Sequence, residues 1–232
     1  MSSSEVKDKG ATEIKSIVAD KINVVLIGDG GVGKTAYCKR WTDGSFSSKY
    51  EPSTSVQEYK FEQHFGETKQ NHRIVEFTLR DTCGQEKFGV LRDACYKDAD
   101  AIIIMFDVTA RVTYNNVPTW YKDVERVCPK AIVVLVGNKD DVKDRKVKPR
   151  DIVFHRKKSL NYYDISVKNN HNVEKPLSYI ARRHFKDSNL RLVKCCCRLM
   201  EQQQEQALES RKNLVNEPDA VILATQDNDD DF

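Results

Sequence analysis

No stretch of this chain is long and apolar enough to cross a membrane: the apolar runs are strand-sized, the first being Ile22-Asn-Val-Val-Leu-Ile27. An apolar signal segment is missing behind the opening Met-Ser-Ser-Ser-Glu, so the chain is expected in the cytosol and nucleus. Seven cysteines, an odd number without paired spacing, exclude a disulfide framework and suit a reducing compartment. Nothing has zinc-finger spacing or the aromatic signature of an RNA reader, so direct nucleic-acid readout is not expected. No period marks a repeat array, and proline and glycine are sparse, at 6 and 10 of 232 residues. The 39% hydrophobic content can fill one sizeable core.

Charge is nearly balanced at +3, but unevenly placed. Glu217, Asp219, Asp227, Asp229, Asp230 and Asp231 give the last sixteen residues −6 with no Lys or Arg, leaving the rest at about +9. A basic body with an acidic tail fits an acidic protein partner. Mere solubility is the plainer explanation.

Organisation follows from periodicity. Residues 1–20 are polar and aperiodic, the pattern of a flexible arm. Ile22–Ile27, Ala101–Phe106 and Ala131–Val136 are continuous, largely β-branched runs, as in strands covered on both faces. Val75, Phe77 and Leu79 alternate with Glu76, Thr78 and Arg80, predicting a half-buried strand that pairs with the stretch holding Tyr59 and Phe61 across a loop at 66–72. Helices are predicted after Gly33, at Val117–Val127 and at Val173–Phe185. Alternating strands and helices predict an α/β fold: a six-stranded, mostly parallel sheet with helices on both faces, spanning residues 21–187. Ligands of such sheets sit beyond the carboxyl ends of the strands. Residues 188–232 read as a linker, a helix near Leu199–Leu214 and the acidic tail.

Chemistry concentrates at those strand ends. Gly28-Asp-Gly-Gly-Val-Gly-Lys-Thr35 follows a strand, precedes a helix and matches G-x-x-x-x-G-K-[ST]. In this pattern the backbone of Asp29, Gly30, Gly31, Val32, Gly33 and Ala36 cradles phosphates. Lys34 supplies charge to the β- and γ-phosphates and the Thr35 hydroxyl ligates Mg²⁺. Asp81-Thr-Cys-Gly-Gln85 ends the half-buried strand. There Asp81 is placed to hold the metal through a water, Gly84 to offer an N–H to the γ-phosphate, and Gln85 to orient the attacking water. Asn138-Lys-Asp-Asp141 follows another strand. The Asp141 carboxylate can accept guanine N1–H and the 2-amino group, which adenine cannot offer, so a mismatch leaves a buried carboxylate unpaired. Asn138 braces the loops and Lys139 lies along the base plane. Ser166-Val167-Lys168 completes the base pocket through backbone N–H groups.

In this order these elements resemble the Ras superfamily of small GTPases over about residues 20–187. Within it, Gly84–Asp93, Ile104–Thr109, Arg111–Tyr114, Lys143–Lys148, Ile152–Lys158, Tyr162–Ser166 and the closing Asp229-Asp-Asp-Phe232 are similar to the Ran branch, the nuclear-transport GTPases. The resemblance implies a slow GTPase with Mg²⁺ and GTP/GDP as cofactors and a first switch over Phe46, Ser47, Ser48, Lys49, Tyr50, Glu51, Pro52 and Ser53. It also implies three kinds of partner: importin-β-type receptors, a GTPase-activating protein and a guanine-nucleotide exchange factor. Lys143, Arg145, Lys146, Arg156, Lys157 and Lys158 are expected to form a cationic surface for acidic receptor repeats or for the chain's own acidic tail, unless they are simply a solvated face.

The chain also departs from that branch. Ser53 stands where a Thr is usual, with Thr54 beside it, so either hydroxyl could be the second metal ligand. Ser55, Cys83, Arg80 and Val90 replace a Gly, an Ala, a Trp and a Gly, and the loop at 66–72 is about five residues longer than usual. Cys195-Cys-Cys197 is poorly spaced for zinc and could be acylated, though an incidental cluster explains it as well. With no cysteine in the closing residues a prenyl anchor is not expected, which argues against a Rab-like vesicle GTPase; a monomer without a membrane anchor is the expectation. A module that binds GTP and hardly hydrolyses it is the other alternative, opposed by Gln85.

Overall fold

The computed structural model describes residues 20–53, 55–66, 73–82 and 89–194, with the backbone alone for 89–92 and 194. The N-terminal arm, the Cys195–Cys197 cluster, the expected C-terminal helix and the acidic tail lie outside the described residues, as do Thr54, Gly84 and Gln85.

Seven strands make one sheet: β1 (Asp20–Ile27), β2 (Gln57–Phe65), β3 (Arg73–Asp81), β4 (Ala101–Asp107), β5 (Ile132–Asn138), β6 (Asn161–Asp164) and β7 (Leu192–Lys194). Their order is β6-β5-β4-β1-β3-β2-β7. Pairing is parallel from β6 through β3 and antiparallel where β2 meets β3 and β7. The helices are α1 (Lys34–Thr42), α2 (Gly89–Tyr96), α3 (Arg111–Asn115), α4 (Val117–Val127), α5 (Phe154–Lys157) and α6 (Glu174–Phe185).

The continuous apolar runs are explained by two cores. Ile22, Val24 and Leu26 of β1 and Ile103 and Met105 of β4 pack with Tyr37, Cys38 and Trp41 of α1 and Leu177 and Ile180 of α6. The intervening residues, Val25 and Ile27 of β1 and Ile102, Ile104 and Phe106 of β4, pack on the other face with Val117, Trp120 and Val124 of α4. Because strand side chains alternate, a strand covered on both sides must be apolar at every position. Each fully buried Ile or Val stabilises by about 1.5–3 kcal/mol.

Phe61 of β2 pairs with Phe77 of β3, as the alternation predicted, and its ring stacks between Trp41 at 5.1 Å and Phe77 at 5.6 Å. Pro118 sits in the first turn of α4, where its missing N–H leaves no bond unmade.

The sheet corrects one expectation. It has seven strands, not six, because Leu192–Lys194 pairs with β2 at His64 and Phe65, in the stretch read as linker. Gly66 N–H donates to the Arg191 carbonyl at 2.8 Å and extends that pairing. β7 thereby covers the His64–Phe65 end of the edge that β2 presents.

Candidate nucleotide site

Four strand ends build the site. β1 runs into the loop at 28–33 and then α1, β3 ends at Asp81, β5 at Asn138, and β6 at Asp164 just before Ser166. β1 lies between β3 and β4, so the chain leaves it towards both sides of the sheet, the place where a crevice opens. A cleft of about 400 Å³ lies there.

Glycine is required at two positions of the loop. Gly28 has φ 136°, and a Cβ on it would lie 2.1 Å from the Met105 carbonyl oxygen. Gly33 has φ 105°, and a Cβ there would lie 2.3 Å from Asn138 Nδ2. The left-handed backbone at Gly33 starts α1 without a capping side chain, leaving the first-turn N–H groups to face the cleft. A helix N-terminus of this kind attracts anions. Lys34, 6% exposed, arches over the loop and donates from Nζ to the carbonyls of Gly28 at 2.8 Å and Asp29 at 2.9 Å.

Three oxygens converge beside it. Thr35 Oγ1 donates to Asp81 Oδ2 at 2.5 Å and lies 3.0 Å from Ser53 Oγ, which is itself 3.4 Å from Asp81 Oδ2. The second Asp81 oxygen is buried with no hydrogen-bond partner among the described residues. Burial raises the Asp81 pKa, and the hydrogen bond from Thr35 and the charge of Lys34 offset this in part. A buried carboxylate with a spare oxygen, next to two hydroxyls, fits a hard divalent cation such as Mg²⁺. Thr35, Ser53 and Asp81 are the residues that could hold it.

At the far end the base loops are braced by Asn138. Its Nδ2 donates to the Val32 carbonyl at 2.9 Å and its Oδ1 accepts from Val167 N–H at 3.2 Å, so one side chain ties the phosphate loop to the base loop. Asp141 Oδ1 accepts from Ser166 Oγ at 2.6 Å, which leaves the other carboxylate oxygen for a ligand. Lys139, at φ 69°, is held by Asp107 Oδ2 at 2.6 Å from its Nζ.

The cleft is lined by Gly30, Gly31, Gly33, Lys34, Thr35 and Ala36, by 46–53, and by Asn138, Lys139, Asp141, Val167 and Lys168. Lys39, Ser45, Thr82 and Val142 line it as well, unforeseen in the sequence. Among the described residues four expected ones do not line it: Asp81, Val32, Ser166 and Asp29. Asp81 is fully buried and hydrogen-bonded by Thr35. Val32 has its side chain in the core, and the Ser166 hydroxyl supports Asp141 from behind. The Asp29 carboxylate turns to α4, accepting from Asn116 Nδ2 at 2.8 Å and Trp120 Nε1 at 2.7 Å. Gly84 and Gln85 cannot be placed, being outside the described residues.

Sequence reasoning missed Arg40. It is buried, and donates to the carbonyls of Val167 at 3.1 Å, Gly44 at 2.7 Å and Lys168 at 3.1 Å, fastening the base loop to the start of the segment expected as the first switch. Only the company of Tyr37, Cys38 and Trp41 in the same short helix hinted that it faces inward.

Fold and site define a phosphate-loop nucleotide-binding domain whose cleft is lined by the loop at 28–33 and by Asn138, Lys139 and Asp141. Compared with known families, residues 23–186 match the Ras family. The chain belongs to that family of small GTPases, which bind GTP and GDP with Mg²⁺ and act as switches.

Proposed function

We propose that this protein is a Ran-like switch, whose GTP form binds importin-β-type transport receptors and whose GDP form releases them. In the proposed site the backbone N–H groups of 29–36 and Lys34 hold the phosphates, and Asp141 reads guanine with Lys139 along the base. Thr35 and Ser53 would supply hydroxyl ligands to Mg²⁺ and Asp81 would hold it through water, and the ion would supply positive charge beside the phosphates. Gln85 orients the attacking water and Gly84 donates to the γ-phosphate. The observation that carries the nucleotide part is one cleft lined by Thr35 and Ser53, with the buried Asp81 carboxylate hydrogen-bonded to both hydroxyls, and also by Asp141.

The transport part rests on the Ran-like segments and on charge. Lys143, Arg156 and Lys157 are exposed cations with no ion-pair partner among the described residues. Lys146 pairs with Asp144 and Lys158 with Glu125, which reduces the surface available to an acidic receptor. A GTPase-activating protein and an exchange factor would reset the switch.

The test is a pull-down with purified protein loaded with GDP or with a non-hydrolysable GTP analogue. Recovery of importin-β-type receptors with the analogue alone is expected. Equal recovery in both states, or none in either, would remove the transport role.

A further inference from the structure

Arg145 was expected on the cationic surface, but its side chain is only 16% exposed and is held from four sides. Nη1 donates to Asp140 Oδ1 at 2.8 Å and Nη2 to Asp164 Oδ1 at 2.6 Å. Nε donates to the Val147 carbonyl at 2.5 Å, and Nη2 also lies 3.3 Å from the Tyr162 hydroxyl. The Tyr162 hydroxyl in turn donates to Asp164. Tyr162 is fixed between Phe106 and His155, with ring centroids at 6.1 Å and 5.2 Å. A planar guanidinium with its donors aimed at two carboxylates and a carbonyl is pre-organised, unlike a solvated lysine.

The position of the two carboxylates matters. Asp140 lies between Lys139 and Asp141, the two residues proposed to meet the base. Asp164 ends β6, two residues before Ser166, whose hydroxyl holds Asp141. The two loops are otherwise tied by Asp140 N–H to the Ile165 carbonyl at 3.1 Å and by Asn138 to Val167. His171 adds to the same side, its Nδ1 3.6 Å from Asp140 and its backbone exchanging both hydrogen bonds with Ser166.

We infer that Arg145, gripping Asp140 and Asp164 together, is a positioning residue that sets the register of the two base loops and so the aim of Asp141 at the guanine 2-amino group. This rests on the guanine reading of the cleft. Arg145 has no part in contacting the nucleotide. It acts by holding Asp140, and a carboxylate displaced by a fraction of an ångström loses the paired geometry on which base discrimination depends.

The experiment compares GDP with IDP, which lacks the 2-amino group, by equilibrium titration of the full chain with Mg²⁺. The variants are Asp140→Ala and the near-isosteric Asp140→Asn, both at a partly exposed position. A third, Arg145→Lys, keeps the charge and loses the fork. Loss of the clamp is expected to weaken GDP about three- to tenfold, the range of a partly exposed charge pair within a network. IDP should weaken less, so that the GDP:IDP preference narrows in all three variants. Equal weakening of both nucleotides would mean that the cluster only supports the fold, and an unchanged preference with unchanged affinity would mean that it does nothing for the site. Either result overturns the inference. A native protein that does not prefer GDP to IDP would instead sink the guanine reading beneath it, and the inference with it.

Discussion

Trp120→Phe tests how the phosphate loop is held. The indole N–H donates to Asp29 Oδ1 at 2.7 Å, and the ring, 3% exposed, packs in the core against Val25, Ile27 and their neighbours. A hydrogen bond to a carboxylate contributes about 1.5–3 kcal/mol, because the ion left without its donor is partly desolvated. Phe refills most of the indole's space, and the residual void adds roughly 1 kcal/mol. The expected loss is therefore about 2–4 kcal/mol, on the order of 10 °C in Tm for a domain of this size. The packing share can be separated by a double-mutant cycle with Asp29→Asn, monitored by urea denaturation. A coupling of about 1 kcal/mol or more is expected, together with faster GDP release, since Asp29 also offers its carbonyl to Lys34 at 2.9 Å. If Trp120→Phe costs the same with Asp29 as with Asn at that position, the latch contributes nothing and the argument from its geometry fails.

Three further outcomes are expected. Burial, with the nearby Arg156 adding to it, lowers the pKa of His155, so the neutral ring is favoured in the folded chain; that stability is present above the ordinary histidine range and lost as pH falls through the folded value. His155→Phe, which keeps the stacking on Tyr162, should therefore flatten the fall in urea midpoint between about pH 7 and pH 5, and an unchanged slope would clear His155 of any part in it. Gln85→Leu should keep GTP binding and lose most activator-stimulated hydrolysis in single-turnover assays, since Leu cannot hold the attacking water; an unchanged rate would give that task to another group. Asp141→Asn should shift preference from guanine towards xanthine nucleotides, because an amide can donate to the 2-oxo group; competition binding that still favours GDP would move base recognition elsewhere.

The parts of the fold carried by local pattern were legible in the sequence. The doubly covered strands appear as unbroken apolar runs, and β3 as a strict alternation from Val75 to Leu79. The helix at Val117–Val127 was bounded correctly because Pro118 marks its start. β7 was missed because three residues carry no period and its pairing with β2 is wholly non-local. α5 is four residues long, too short for a helical stripe. The fixed motifs pointed to residues that the structure brings around one cleft, and Asn138 was read as the brace between loops, whereas side chains outside those motifs that act on other protein groups were not foreseen. Asp29 was assigned to the nucleotide through its backbone, and nothing local showed that its carboxylate would accept from Asn116 and Trp120. Arg40 and Arg145 look like any surface arginine in a chain that is 31% charged, and only tertiary geometry reveals the carbonyls and carboxylates that hold them.

The central claim is a guanine-specific, magnesium-dependent site, and nucleotide titration tests it most directly. With Mg²⁺ present, GDP and GTP should bind tightly and ATP at least about a thousandfold more weakly, because adenine leaves the Asp141 carboxylate unpaired. Chelating the metal should weaken GDP and GTP, since Thr35, Ser53 and Asp81 would lose the ion they are placed to share with the phosphates. Equal affinity for ATP and GTP, with or without Mg²⁺, would contradict the account.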